Sequence, residues 1–251
     1  MSESAGGSAT SGDAPLGETP HTVEPKASRW EDFIDIFYAP SAVFARRAAS
    51  GFLLPMAVVT ILTGALYIMN GAVWSQVMDA EMSRAMARQT QQVSPEQMEG
   101  IRKFSETMAK VGAFIFVPVG IFLTALMLWV CGKFVDAKQT LRQATMVASF
   151  AFLPRVVEAL TGAVQGLLMD PGTFDGRWRV SLGVGRFFDP DATNPALLAF
   201  LGRIDVFTIW VTVLLAIGLA VTGKIPRARA AIAAAIVWLL GAVPLLLQAR
   251  S

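Results

Sequence analysis

Long charge-free runs alternate along this chain with short segments that gather its charges. A helix that crosses a bilayer needs about 20 mostly apolar residues. Residues 52–69, between Arg47 and Asp79, supply one such run, and residues 111–132, between Lys110 and Lys133, a second. Residues 206–223 and 230–248 supply two more. A further run, 145–168, is apolar but holds Arg155 and Glu158 near its middle. The pattern predicts an all-α integral membrane protein with five transmembrane helices.

Segment 28–50 follows a different pattern. Trp30, Phe33, Ile34 and Phe37 fall at i, i+3, i+4 and i+7, one stripe of a helix. Ser28 and Glu31 read as a capping box at its start. Pro40 is expected to end it, and Ser41 to cap a second helix that runs past Arg46 and Arg47 into the first span. Such a segment suits the membrane interface. Its polar face (Glu31, Asp32 and Asp35) is acidic, so docking onto the protein's own bundle competes with docking onto lipid. Residues 1–27 are rich in Ser, Gly, Ala, Thr and Pro and are predicted to be disordered. They lack the basic-then-apolar order of a signal peptide, so the first apolar helix is expected to stay as an uncleaved anchor. Residues 51–251 then form the transmembrane domain.

Charge sets the expected orientation. Segment 133–142 carries Lys133, Lys138 and Arg142, and segment 224–229 carries Lys224, Arg227 and Arg229. Short basic loops stay in the cytoplasm. Arg46 and Arg47 agree, which gives N-in, C-out. The net charge of +2 provides no broad basic surface, so no nucleic-acid partner is expected. Only 16% of residues are charged, where soluble domains have about 25%.

Candidate chemistry is sparse. One cysteine, Cys131, and one histidine, His21, exclude a Cys/His zinc site and argue against a Ser-His-Asp triad. No P-loop, G-x-S-x-G or H-E-x-x-H is present, so no cofactor, metal or catalytic residue is expected. "DPDATN", 189–194, lacks the Gly and distal Glu of a calcium loop and reads as a turn. In the loops, Ser94, Pro95 and Gln97 open a helix that should run into the second span. "RWRVSLGVGRFF", 177–188, is compatible with a short hairpin.

The intramembrane charges are the sharpest feature. Arg155 and Glu158 share a helical face at i, i+3, and Pro154 beside them is expected to kink the helix. A charge at the centre of a span costs at least about 2.5–3.5 kcal/mol, so the pair reads either as a polar bend lining a pathway or as a self-neutralising structural pair. Gly162 and Gly166 form a G-x-x-x-G seam, for packing inside one bundle or for homo-oligomerisation. Asp205 suits an N-cap and Trp210 an interfacial anchor.

"DIFYAPSAVFARR" (35–47), "FAFLPRVVEAL" (150–160) and "RIDVFTIWVTVLLAIGLAV" (203–221) together resemble the bacterial branch of the Yip family. The most specific matches are Asp205, Phe207, Trp210 and Gly218-Leu219, with Leu153-Pro154 in the third span. The resemblance covers roughly residues 30–248. It implies five spans, a cytoplasmic N-terminus and no enzymatic activity; it assigns nothing to Arg155 or Glu158. The expected function is a non-enzymatic protein of the bacterial inner membrane that organises or recruits membrane partners, with the lipid bilayer as its solvent. The alternative is a small transporter or channel component built on the third span; neither an inverted repeat nor paired broken helices accompany it.

Overall fold

The computed structural model describes residues 28–87, 94–170, 173 and 176–244. The expected tail, 1–27, and the last four residues of the expected fifth span, 245–248, lie outside the described residues. The described chain is helical. Two short helices, α1 (Asp32–Asp35) and α2 (Pro40–Arg47), precede α3 (Leu53–Met69) and α4 (Gly71–Ala87). The long α5 (Pro95–Phe134) leads to α6 (Leu141–Ala151) and α7 (Leu153–Leu168). After α8 (Arg177–Val180) and α9 (Pro195–Gly202), α10 (Val206–Gly223) and α11 (Arg227–Leu240) complete the bundle.

The centre is α6. Every residue from Ala144 to Ala151 is buried, because α3, α5 and α10 all pack against this helix. A helix enclosed on all sides must be apolar all round or satisfy its own polar groups. Here the Thr145 and Ser149 hydroxyls donate to the carbonyls of Leu141 and Thr145, at 2.9 and 2.7 Å. Close approach of α10 depends on Gly218: a Cβ there would lie 2.3 Å from Val147 Cγ1. Around this core, α3 and α5 turn Ile61, Phe116, Leu123 and other large apolar side chains outward. Such a girdle suits lipid rather than water.

Three helical stretches are long and apolar enough to cross a membrane: Glu96–Phe134, Leu141–Leu168 and Val206–Gly223. A fourth is reached if α3 and α4, bent by 75° about Asn70, count as one broken span. The described part of α11 has 14 residues, about 21 Å of helix against a hydrocarbon core of about 30 Å. The run read as 145–168 begins at Leu141 and breaks at Phe152, where Pro154 enters the first turn of α7. The capping box at Ser94 and Gln97 forms, and its helix continues without interruption through the second apolar run.

Local expectations fail in two segments. "RWRVSLGVGRFF" makes no hairpin; it forms α8 and a 3-10 turn, Val184–Phe187. Its backbone finds partners outside itself: Val184 N–H donates to the Ile204 carbonyl, and Gly183 bridges to Asp205. Pro40, expected to end the first helix, opens α2, where its missing N–H costs nothing; Ser41 is not the cap.

Gly218→Ala tests the central contact. Overpacking should cost about 1–3 kcal/mol, read as a lower melting temperature in detergent. Val147→Ala in the same chain should recover part of the loss.

Candidate functional site

Two clusters of charge are built into the bundle. The first ties the N-terminal elbow together. Asp32 is fully buried, and both of its oxygens are used. Arg46 Nη2 lies 2.7 Å from Asp32 Oδ1 and 2.6 Å from Asp35 Oδ2, while Arg47 Nε holds Asp32 Oδ2. These hydrogen bonds raise the Arg46 pKa, Asp32 contributing most. The charge–charge clamp folds α1 against α2, and Ile36, Val43 and Phe44 are buried completely beneath it.

The apolar stripe of this segment divides. Phe33 meets Phe150 of α6 and Phe37 meets Trp210 of α10, with ring centroids 5.7 and 5.3 Å apart. Trp30 and Ile34 face outward, 65% and 59% exposed. The helix is a single turn, too short to carry one stripe to one side; Asp32 is its buried residue, followed inward by Ile36 just past its end. The Ser28 and Glu31 contacts form on the turn ahead of α1: Ser28 N–H donates to Glu31 Oε2, and Trp30 N–H to Ser28 Oγ. Sequence reasoning placed Asp32 off the buried face and used Arg46 and Arg47 only for orientation. The sequence signal is two acids and two adjacent arginines on either side of a short turn that ends at Pro40.

The second cluster is a polar layer at the start of α10. Arg155 Nη1 lies 2.6 Å from Glu158 Oε2, and Nη2 donates to Thr208 Oγ1 at 2.9 Å. Thr208 belongs to the first turn of α10, which Asp205 caps: its Oδ1 accepts the Phe207 and Thr208 N–H groups at 2.8 and 3.2 Å. Asp205 Oδ2 accepts the Ser181 hydroxyl at 3.1 Å. The pair expected near the middle of its span therefore stands level with the end of its neighbour. Phe207 is buried beside the cap, and Pro154 is buried beside the pair.

The Gly162–Gly166 seam faces this chain's own helices. A Cβ on Gly166 would stand 2.3 Å from Val73 Cγ2, and one on Gly162 would touch Val180 and Asn70. In "DPDATN", Asp189 Oδ1 accepts the Asp191 N–H, Asp191 pairs with Arg84 at 2.9 Å, and Asn194 caps α9.

Residues 34–248 match the Yip1 domain. The chain is also 27% identical, over 207 residues, to the membrane protein YknW of Bacillus subtilis (strain 168), covering 81% of this chain and 83% of that protein. No solved structure matches. The chain belongs to the Yip1-domain family and is a membrane protein with several apolar helices.

The clamp makes a sharp prediction. Asp32→Asn should leave two arginines without their buried partner and cost about 3–5 kcal/mol. Asp35→Asn, at the exposed edge, should cost under about 1 kcal/mol. Thermal unfolding of the purified chain and protease sensitivity of the elbow measure both; equal effects would refute the clamp.

Proposed function

We propose that this chain is a non-enzymatic five-span protein of the bacterial inner membrane that organises or recruits membrane partners, with its N-terminus in the cytoplasm. It comprises a tail over residues 1–27, an interfacial elbow over 28–50 and a transmembrane domain over 51–251. Family membership supports the non-enzymatic reading and lends nothing to a transporter.

The observation that carries recruitment is the elbow's outer surface. The Asp32 clamp fixes the backbone, while Trp30, Ile34 and Tyr38 stand 65%, 59% and 70% exposed. Aromatic groups presented on a fixed turn contact a partner at little entropic cost.

Orientation is supported by where the cations gather. Lys138 N–H donates to the Gly223 carbonyl, and Gln143 Nε2 to the Ala48 carbonyl. These contacts bring segment 133–142, the start of segment 224–229 and Arg46–Arg47 to one end of the bundle. A basic end favours the cytoplasm. The fifth span rests on the apolar composition of residues 230–248.

A photo-crosslinking residue at Tyr38 in living cells should yield a discrete protein adduct; adducts to lipid alone would overturn recruitment through the elbow. In the topology experiment, single cysteines at Ser28, Thr193 and Ser251 are treated with a membrane-impermeant thiol reagent. Thr193→Cys and Ser251→Cys should label from outside and Ser28→Cys should not. A protected Ser251→Cys beside a labelled Thr193→Cys would remove the fifth span.

A further inference from the structure

On the flank where α5, α7, α10 and α11 meet there is a cavity of about 270 Å³. Its wall carries two arginines, Arg155 and Arg203, and no carboxylate. Arg155 is paired with Glu158. Arg203 has no ion-pair partner among the described residues. Its Nη2 donates to the Trp238 carbonyl at 2.8 Å, and its guanidinium carbon lies 5.4 Å from the Trp238 ring centroid. Gly241 leaves room for it, since a Cβ there would stand 2.9 Å from Nη2.

Two donors on this wall are incomplete. Arg203 Nε and Trp238 Nε1 are buried and meet no acceptor among the described residues. Buried N–H groups in folded proteins almost always have one. Desolvation, and then the nearby Arg155 charge, lower the Arg203 pKa, so the ion is held here at a cost. Both features are relieved by a ligand that brings negatively charged oxygen.

The shape of the cavity narrows the ligand further. Arg155 and Arg203 mark its polar end, level with the first turn of α10. From there its lining follows α10 through Val211 to Leu215, and α5 from Leu123 to Met127. Leu123 is 51% exposed on the outer face of α5, the face turned toward lipid. A charged head at the end of the helices and an apolar strip along them match an amphiphile entering from the side. Free phosphate would use only the head.

We propose that this cavity binds an anionic phospholipid, its headgroup phosphate on Arg203 and Trp238 Nε1 and one acyl chain along Leu123, Met127 and Leu215. The site goes beyond the family's scaffold reading and requires only that the bundle be embedded, whichever way it faces.

The test uses the full chain in a non-ionic detergent, titrated separately with phosphatidylglycerol, phosphatidylcholine and sodium phosphate while thermal unfolding is followed. Phosphatidylglycerol should raise the melting temperature saturably. Arg203→Gln should weaken that response about tenfold or more, as expected for loss of a charge-assisted hydrogen bond. Trp238→Phe keeps the ring, removes the donor and should also weaken it; this variant carries the test if Arg203→Gln does not fold. An equal response to phosphatidylcholine, the full response to phosphate alone, no saturable response, or unchanged binding by the variants would each overturn the proposal.

Discussion

Away from water, a polar group without a partner costs several kcal/mol, and that cost organises this bundle. Backbone groups meet it by forming helices. Hydroxyls meet it by bonding back along their own helix: Thr145, Ser149, Thr212 and Thr222 each donate to the carbonyl four residues earlier. Gln139 reaches across to Thr222 at 2.6 Å. The Gln139 Oε1 is left without a donor among the described residues, but the hydroxyls of α6 itself are satisfied internally, so this helix can be enclosed on all sides, and Gly218 lets α10 close against it.

Charges answer the same constraint by moving to the ends. Asp32 and Asp35 neutralise Arg46 and Arg47 beside the end where Gln143 bonds the Ala48 carbonyl. Arg155 and Glu158 pair near the opposite end of α10. The elbow clamp is the more consequential of the two. Without it, α1 is a single turn and has no stability of its own. With it, Ile36, Val43 and Phe44 are sealed against the bundle, and Phe33 and Phe37 engage rings on α6 and α10. A polar contact thus makes an apolar packing surface possible.

What was legible in the sequence was whatever acts over a few neighbouring residues. The long apolar runs, the capping box at Ser94, the Asp205 cap and the break beside Pro154 are all local. Contacts between distant residues were not legible. The Asp32 clamp joins side chains 14 and 15 residues apart across a turn, and helical periodicity assumed a longer helix than exists there. Arg155 looked central because its level was counted along its own run; Thr208, 53 residues later, shows where that level falls on α10. Likewise the glycine seam named a close approach but not its occupant, Val73.

The level of Arg155 bears directly on what a charge pair in an apolar run means. A pathway through the bundle would need polar groups offered to a passing solute between its two ends. Along α6 the hydroxyls of Thr145 and Ser149 are turned back on their own helix's carbonyls, and Ala144–Ala151 is buried around them. A guanidinium near a helix end can also reach the interfacial zone, where the cost of its charge falls well below that at the bilayer centre. The pair thus stands beside the end of a neighbouring helix and not at its middle. Its Thr208 contact fastens α7 to the start of α10, the helix whose Trp210 receives Phe37 of the elbow. The Arg155 contact and the elbow's ring contact therefore both fall on the first turns of α10, so one short stretch of that helix ties α7 and the elbow together.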